Sequence, residues 1–277
     1  MDFDQRAAFL KQVESISKNA AKLMLTAHPA EQAVAKKSRI DLVTDVDLAI
    51  NQLLCKELAA LDSSIDIIAE EGVPDSLKKP GAELAWVIDP IDGTTNFVHG
   101  LMHSAISIAL YDKREKASLI GLVLNPFRNE CFTAIKDGGA YLNDVPTKVS
   151  LTHTLIDSLI CTGFAYDVKA SADNNLAEFS SIIKEVQGLR RLGAASLDLA
   201  YVAAGRFDGY FEKGLKFWDY AAGMLLVSES GGTVTTYDGK AVTETGGQII
   251  ATNPNIHAAL LAAIKNARIQ AGLAAVP

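Results

Sequence analysis

Two carboxylates three residues apart, split by a proline and followed by glycine and two threonines, make Trp86-Val87-Ile88-Asp89-Pro90-Ile91-Asp92-Gly93-Thr94-Thr95-Asn96-Phe97 the most chemically loaded stretch of the chain. Proline fixes φ at one position and glycine frees it at another, so a turn after an apolar strand can make Asp89 and Asp92 converge. Mg²⁺ takes a few carboxylates and completes an octahedron with water and substrate oxygens, which suits Asp89, Asp92 and the Ile91 carbonyl. A helix starting at Thr94 would aim the amides of Gly93, Thr94 and Thr95 at a phosphate. Alone, Asp before Gly-Thr-Thr is also ordinary turn chemistry. More acids shift that balance. Glu70-Glu71 closes a neighbouring strand, and Asp219 heads an apolar helix, where an N-cap role would serve equally well. Like charges gathered at strand ends are costly unless a cation neutralises them. Two chemistries stay open at this point: attack on phosphorus by Asp89 itself, or by water assisted by two metal ions.

Competing motifs fail on spacing. Across Asp41 to Gln52, Val46 stands at the EF-hand glycine position and Gln52 replaces the bidentate glutamate. The chain contains no P-loop, Gly-x-Ser-x-Gly elbow, dinucleotide fingerprint or His-Glu-x-x-His. Of the histidines at 28, 99, 103, 153 and 257, only His99 and His103 share helical spacing, and surface or turn roles are expected for them. Cys55, Cys131 and Cys161 are odd in number and far apart, so buried free thiols in a reducing cytoplasm are expected. Lys+Arg 26 against Asp+Glu 33 gives a net charge of −7, a field that repels nucleic acid and anionic lipid, so no direct nucleic-acid binding is expected. No basic leader and no apolar run of membrane-spanning length occurs, which points to a cytoplasmic protein without a membrane partner.

The elements that must position these residues follow from the hydrophobic periodicity. A helix from Phe3 to Ala27 and another from Leu48 to Leu61, capped by the acids of Asp41 to Asp47, precede strands at Ile65 to Ala69 and Leu84 to Ile88. Ile106 to Tyr111, Leu119 to Leu124 and Cys131 to Ile135 read as an antiparallel meander. Near residue 150 the pattern changes. Strands at Leu159 to Thr162, Leu189 to Leu192, Phe207 to Glu212, Gly232 to Thr235 and Gln248 to Ala251 alternate with helices at Leu176 to Val186, Ser196 to Ala204, Asp219 to Ser230 and Asn255 to Ala267. The expected fold is mixed α/β: residues 1–150 an α+β half carrying most candidate metal ligands, residues 151–277 an α/β half completing the site.

Asp41-Leu42-Val43-Thr44-x-x-Asp47, Glu70-Glu71-Gly72, the Trp86 to Phe97 stretch and Trp218-Asp219-x-Ala221-Ala222-Gly223 resemble, in order and spacing, the signature blocks of the inositol monophosphatase family. Arg190-Arg191-Leu192-Gly193-Ala194-Ala195-Ser196-Leu197-Asp198-Leu199-Ala200, followed by Gly205-Arg206-x-Asp208-Gly209-x-x-Glu212, is similar to its bacterial extragenic-suppressor branch. The resemblance spans nearly the whole chain.

It implies a layered αβαβα sandwich with the site between the halves, and a phosphatase acting on myo-inositol 1-phosphate or a similar polyol or sugar phosphate. It also implies Glu70, Asp89 and the Ile91 carbonyl around one Mg²⁺, Asp89, Asp92 and Asp219 around a second, and a weaker third near Glu70. Thr94, oriented by Asp47, would position or deprotonate the attacking water. Gly93, Thr94 and Thr95 would hold phosphate, Glu212 would accept from polyol hydroxyls, and Arg190, Gly193, Ala194 and Ala195 would shape the same wall, so that Glu70, Ile91, Asp92 and Asp219 also border the substrate. Ala165 in Gly163-Phe164-Ala165-Tyr166 and Lys216 depart from the family pattern, which opens the choice of leaving group. Asp45 reads as a solvated helix-entry acid and Lys36 as a surface lysine. Homodimers are implied, with fructose 1,6-bisphosphate, histidinol phosphate or a nucleotide 3′-phosphate as other esters. The bacterial branch adds a protein partner in transcription antitermination complexes, for which Arg190, Arg191 and Arg206 are candidate contacts.

Overall fold

The computed structural model describes residues 1–27, 34–36 and 42–273, the side chains of 34–36, 42 and 43 excepted. His28, Asp41 and the Lys36 side chain, singled out above, lie outside the described residues. Helix α1 (Phe3–Thr26) opens on a capping box in which Asp2 accepts from the Gln5 amide. Strands β1 (Val34–Lys36) and β2 (Leu42–Thr44) pair antiparallel. Helix α2 (Asp45–Leu61) starts three residues earlier than its apolar periodicity suggests, because its cap is Thr44, with Asp47 reaching back as the third residue of a second capping box.

A seven-stranded sheet follows, with spatial order matching chain order: β3 (Asp66–Ala69), β4 (Leu84–Asp92), β5 (Ala105–Asp112), β6 (Ala117–Asn125), β7 (Glu130–Ile135), β8 (Gly139–Leu142) and β9 (Val145–Pro146). Only β3 and β4 run parallel. Helix α3 (Thr94–Val98) interrupts the chain between β4 and β5. The second sheet has the order β11 (Gly188–Arg190), β10 (Leu159–Thr162), β12 (Gly209–Lys213), β14 (Gln248–Thr252), β13 (Thr233–Thr235). Its helices are α4 (Leu176–Ile182), α5 (Ala195–Ala203), α6 (Phe217–Glu229) and α7 (His257–Gln270).

Side-chain alternation sorts these elements into five layers. Trp86, Ile88, Ile108 and Leu122 face α1 and α2, whereas Val87, Ala109 and Val123 face α5 and α6. In the second sheet Tyr210, Ile249 and Ala251 turn to α5 and α6, and Phe211 and Ile250 turn to α4 and α7. The order is therefore helix, sheet, helix, sheet, helix, an αβαβα sandwich. Helix α5 is buried all round, as expected of a helix between two sheets. The central layer is thin because small residues line it: a Cβ on Gly121 would lie 2.9 Å from the Ala222 carbonyl oxygen, and one on Gly223 2.6 Å from Leu199 Cβ. The Ser118 hydroxyl donates to the Ala221 carbonyl at 2.8 Å. Close approach of α6 to both neighbours sets where its first turn, and Asp219, must lie.

The three cysteines are buried and unbridged, and burial pushes the Cys55 thiol up to about 11 and Cys131 up to about 12. Among the described residues no helix is long and apolar enough to cross a membrane.

Candidate active site

Strand β4 does not end at Ile88. It runs through both acids to Asp92, with Asp89 opposite Ser107 and Asp92 opposite Ala105, so three steps on β4 match two on β5. One extra residue makes a bulge, and Pro90, which lacks an N–H, is tolerated there. The expected turn is thus a bulged strand end, and the chain reverses only at Gly93, whose φ is +86°. A side chain there would press on the His103 and Gly193 carbonyls and the Ala194 Cβ at 3.1–3.2 Å.

Around that bulge lies a cavity of about 500 Å³. Glu70 enters from the end of β3, where its amide donates to the Ile88 carbonyl at 3.1 Å and continues the parallel pairing. Asp89, Ile91 and Asp92 come from β4, Gly93, Thr94 and Thr95 from the start of α3, Glu212 from β12, and Asp219 from the first turn of α6. Gly193 and Ala195 line it as well, whereas Ala194 is buried behind them. Arg190 is not on this wall. It ends edge strand β11, is exposed, and donates to the Leu189 carbonyl, while Arg191, one residue on, faces the cavity. Phe164, Ala165, Tyr166 and Val168 form the outer rim with Leu215 and Lys216.

Asp92, Asp219 and Asp47 are each held by a specific neighbour. Asp92 Oδ2 accepts from the Ser196 amide at 2.7 Å and its hydroxyl at 2.5 Å. The Lys216 amide donates to Asp219 Oδ2 at 2.6 Å, so Asp219 caps its helix from the third position and still lines the cavity. Asp47, 1% exposed, accepts from the Thr44 amide at 2.9 Å and from the Thr44 hydroxyl. Thr94 Oγ1 lies 3.1 Å from Asp47 Oδ1 and 3.0 Å from the Ile91 carbonyl oxygen. With one proton to give, it donates to one of them at a time.

The electrostatics record crowded charge. Burial raises Asp89 well above the ordinary carboxylate range, and Glu70, Asp92 and Asp219 push it the same way. Burial lifts Asp92 to about 6 against the Ser196 hydrogen bonds, and raises Asp219 well above its usual range, with Asp92 adding to it. Glu212 rises to about 8 through burial, opposed by the Tyr210 hydrogen bond. Asp47 is raised by burial against its Thr44 and Thr94 bonds. Among the described residues no three His, Cys, Asp or Glu side chains close on one point as a finished metal cage. The donor chemistry nevertheless fits a hard divalent cation: every side-chain donor is an oxygen, and Asp89 Oδ1 is buried with no hydrogen-bond partner.

Several residues of the site are given no role by the sequence, Ser196 and Gly163 standing unassigned within the blocks quoted above. Ser196 sits in a run of small residues, and Gly163 and Tyr210 in ordinary strand surroundings; only the tertiary pairing of β10 with β12 and the approach of α5 to β4 reveal them. His103 lies in the loop before β5, half-buried, with Nε2 3.4 Å from Oδ1 of the buried Asp198. Arg206, exposed, pairs with Glu130 at 2.7 Å and lies over the Tyr201 ring at 4.7 Å.

An αβαβα sandwich holding an all-oxygen acid cluster beside a threonine–aspartate pair has the parts of a metal-assisted hydrolase. The chain belongs to the inositol monophosphatase family, whose profile matches residues 5–269. It is 42% identical over 234 residues to an inositol-1-monophosphatase of Synechocystis sp., covering 84% of this chain and 80% of that protein. It is 43% identical over 235 residues to Nus factor SuhB of Pseudomonas aeruginosa, covering 84% and 86%. The crystal structure of the extragenic suppressor protein suhB from Bartonella henselae superposes with a TM-score of 0.86 at 34% identity, covering 93% of this chain and 98% of that one. The chain is an enzyme, a phosphatase of this family.

Proposed function

We propose that the protein is a Mg²⁺-dependent phosphomonoesterase that hydrolyses myo-inositol 1-phosphate, or a closely similar polyol phosphate, to alcohol and inorganic phosphate. The observation that carries this reading is the buried Asp47–Thr94 pair standing beside the acid cluster of Glu70, Asp89, Asp92 and Asp219. Glu70, Asp89 and the Ile91 carbonyl would hold one Mg²⁺, Asp89, Asp92 and Asp219 a second, and a weaker third would sit near Glu70. When bound, the cations supply Lewis-acid charge to the phosphate and to the leaving alkoxide. The chain's own residues do the rest. Thr94, its hydroxyl directed by Asp47 and the Ile91 carbonyl, orients a water for in-line attack and passes its proton toward Asp47. The amides of Gly93, Thr94 and Thr95 hold phosphate oxygens. Glu212 accepts a polyol hydroxyl, and Gly193, Ala195 and Arg191 shape the wall beside it. We further propose a cytoplasmic homodimer.

Phosphate release from myo-inositol 1-phosphate, fructose 1,6-bisphosphate, histidinol phosphate and a nucleotide 3′-phosphate, compared by kcat/KM, tests the substrate. The highest value is expected for the inositol ester; a tenfold or greater preference for another would reassign it. A second reading, binding to a protein of the transcription machinery, is favoured by the relative named Nus factor SuhB. Pulldown from a bacterial lysate tests it: recovery of RNA polymerase or an elongation factor, undiminished in Asp92→Asn, supports it, and recovery of neither counts against it.

A further inference from the structure

The carboxylate of Glu212 is held by two features outside the acid cluster. The first is Tyr210, two residues earlier on the same face of β12, fully buried, whose hydroxyl donates to Glu212 Oε2. The second is Gly163, which follows β10 where that strand runs parallel to β12. A Cβ built on Gly163 would fall 2.3 Å from Glu212 Cδ and 2.0 and 2.4 Å from its two oxygens, so the carboxylate rests directly on the glycine backbone. Among the described residues no donor reaches the other oxygen, Oε1, and Glu212 lines the cavity.

We infer that Tyr210 is the positioning residue that sets the hydroxyl specificity of this phosphatase. By bonding Oε2 it fixes the plane of the carboxylate and so the direction in which Oε1 faces the cavity, and the missing Cβ of Gly163 leaves the space in which the carboxylate lies. A carboxylate free to rotate offers two equivalent oxygens and accepts hydroxyls over a wide arc. One locked by a buried phenol presents Oε1 in a fixed direction, and selects phosphate esters whose carbon frame brings a hydroxyl there. Tyr210 itself touches no substrate. This inference rests on the proposed phosphatase reading, in which Glu212 meets the polyol.

The test compares myo-inositol 1-phosphate with p-nitrophenyl phosphate, which has no hydroxyl to offer, on the full-length Mg²⁺-loaded enzyme. Tyr210→Phe keeps the ring and removes the donor. The ratio of kcat/KM for the inositol ester over the aryl ester should fall about tenfold, carried by KM, the scale of one lost hydrogen bond. Gly163→Ala, which displaces the carboxylate by a different route, should lower the same ratio. Circular dichroism and melting temperature confirm that each variant is folded. If Tyr210→Phe leaves the ratio unchanged in a folded enzyme, or depresses both esters equally, the positioning role is refuted. Glu212→Gln run alongside separates the two ideas: an unchanged ratio there would overturn the polyol-binding reading itself, whereas a lowered ratio with Tyr210→Phe at wild type would overturn only the role of Tyr210.

Discussion

Replacing Gly121 by alanine tests whether the thin central layer positions the site. The added Cβ would lie 2.9 Å from the Ala222 carbonyl oxygen, 3.3 Å from its Cα and 3.5 Å from its carbonyl carbon. All three are backbone atoms of a buried helix, so no flexible side chain can step aside. Either α6 lifts off the sheet or β6 bows away from it. Overpacking of this kind costs about 1–3 kcal/mol. In a chain of this size each kcal/mol lowers the melting temperature by about 2–4 °C. The same displacement carries the first turn of α6, and with it Asp219, relative to Asp89 and Asp92. Thermal unfolding together with Mg²⁺ titration of activity reads both effects: a melting temperature lower by several degrees, and a higher Mg²⁺ concentration for half-maximal rate. A melting temperature within about 1 °C of wild type with an unchanged Mg²⁺ requirement would show that α6 is not pressed on the sheet as argued.

Thr94→Ala should lower kcat by about 10²–10⁴-fold with a smaller change in KM, and Thr94→Ser should retain most of the rate; a pure KM effect in steady-state kinetics would demote Thr94 to substrate binding. Ser196→Ala removes one of two donors to Asp92 Oδ2 and should weaken Mg²⁺ binding about tenfold by calorimetry, the usual scale for losing a partner of a metal ligand. Arg268 is bonded at 2.7 Å to Glu178, which is fully buried, and also to Asp173, so Arg268→Met should destabilise the protein by about 3–5 kcal/mol in urea unfolding, chiefly by leaving Glu178 unpaired. Arg268 and Lys213 hold Asp173 down at about 2. Its folded-state value lies below the unfolded value of about 3.9, so its stabilisation is complete above that pH and is lost as pH falls through about 2. Asp173→Asn should therefore lose stability at neutral pH and show a shallower decline between about pH 4 and 2.

Much of the architecture was legible because period and punctuation agree. The helix expected over Phe3 to Ala27 is α1, and the strand over Leu159 to Thr162 is β10 at those limits. The chain leaves the first sheet after Pro146 and enters the second at Leu159. What misled was local chemistry overridden by tertiary pairing. Acids and a proline read as the end of a strand at Ile88, yet β5 pairs onward to Asp92 and absorbs Pro90 in a bulge. The helix expected to reach Val186 stops at Ile182, because apolar Val186 serves the core beneath α7 without continuing the helix. Strand β8 and edge strand β9 are only four and two residues long, too short for alternation to register. At the site, Asp89, Asp92 and the Gly93-Thr94-Thr95 turn stand out by type and spacing, whereas Glu212 stands out only through the resemblance of its block to the family. Ser196, Tyr210 and Gly163 do not, since each matters through a contact with a residue far away in sequence or through the absence of a side chain.

The most direct test of the central claim is phosphate release from myo-inositol 1-phosphate by wild type and Asp92→Asn, each with and without Mg²⁺, with Mg²⁺ binding followed by calorimetry. Turnover that requires Mg²⁺, and that disappears with the weakened binding of a folded Asp92→Asn, is the expected result. Release that is indifferent to Mg²⁺, or that survives in the folded mutant, would contradict the assignment of the β4 acids to a metal-assisted phosphatase site.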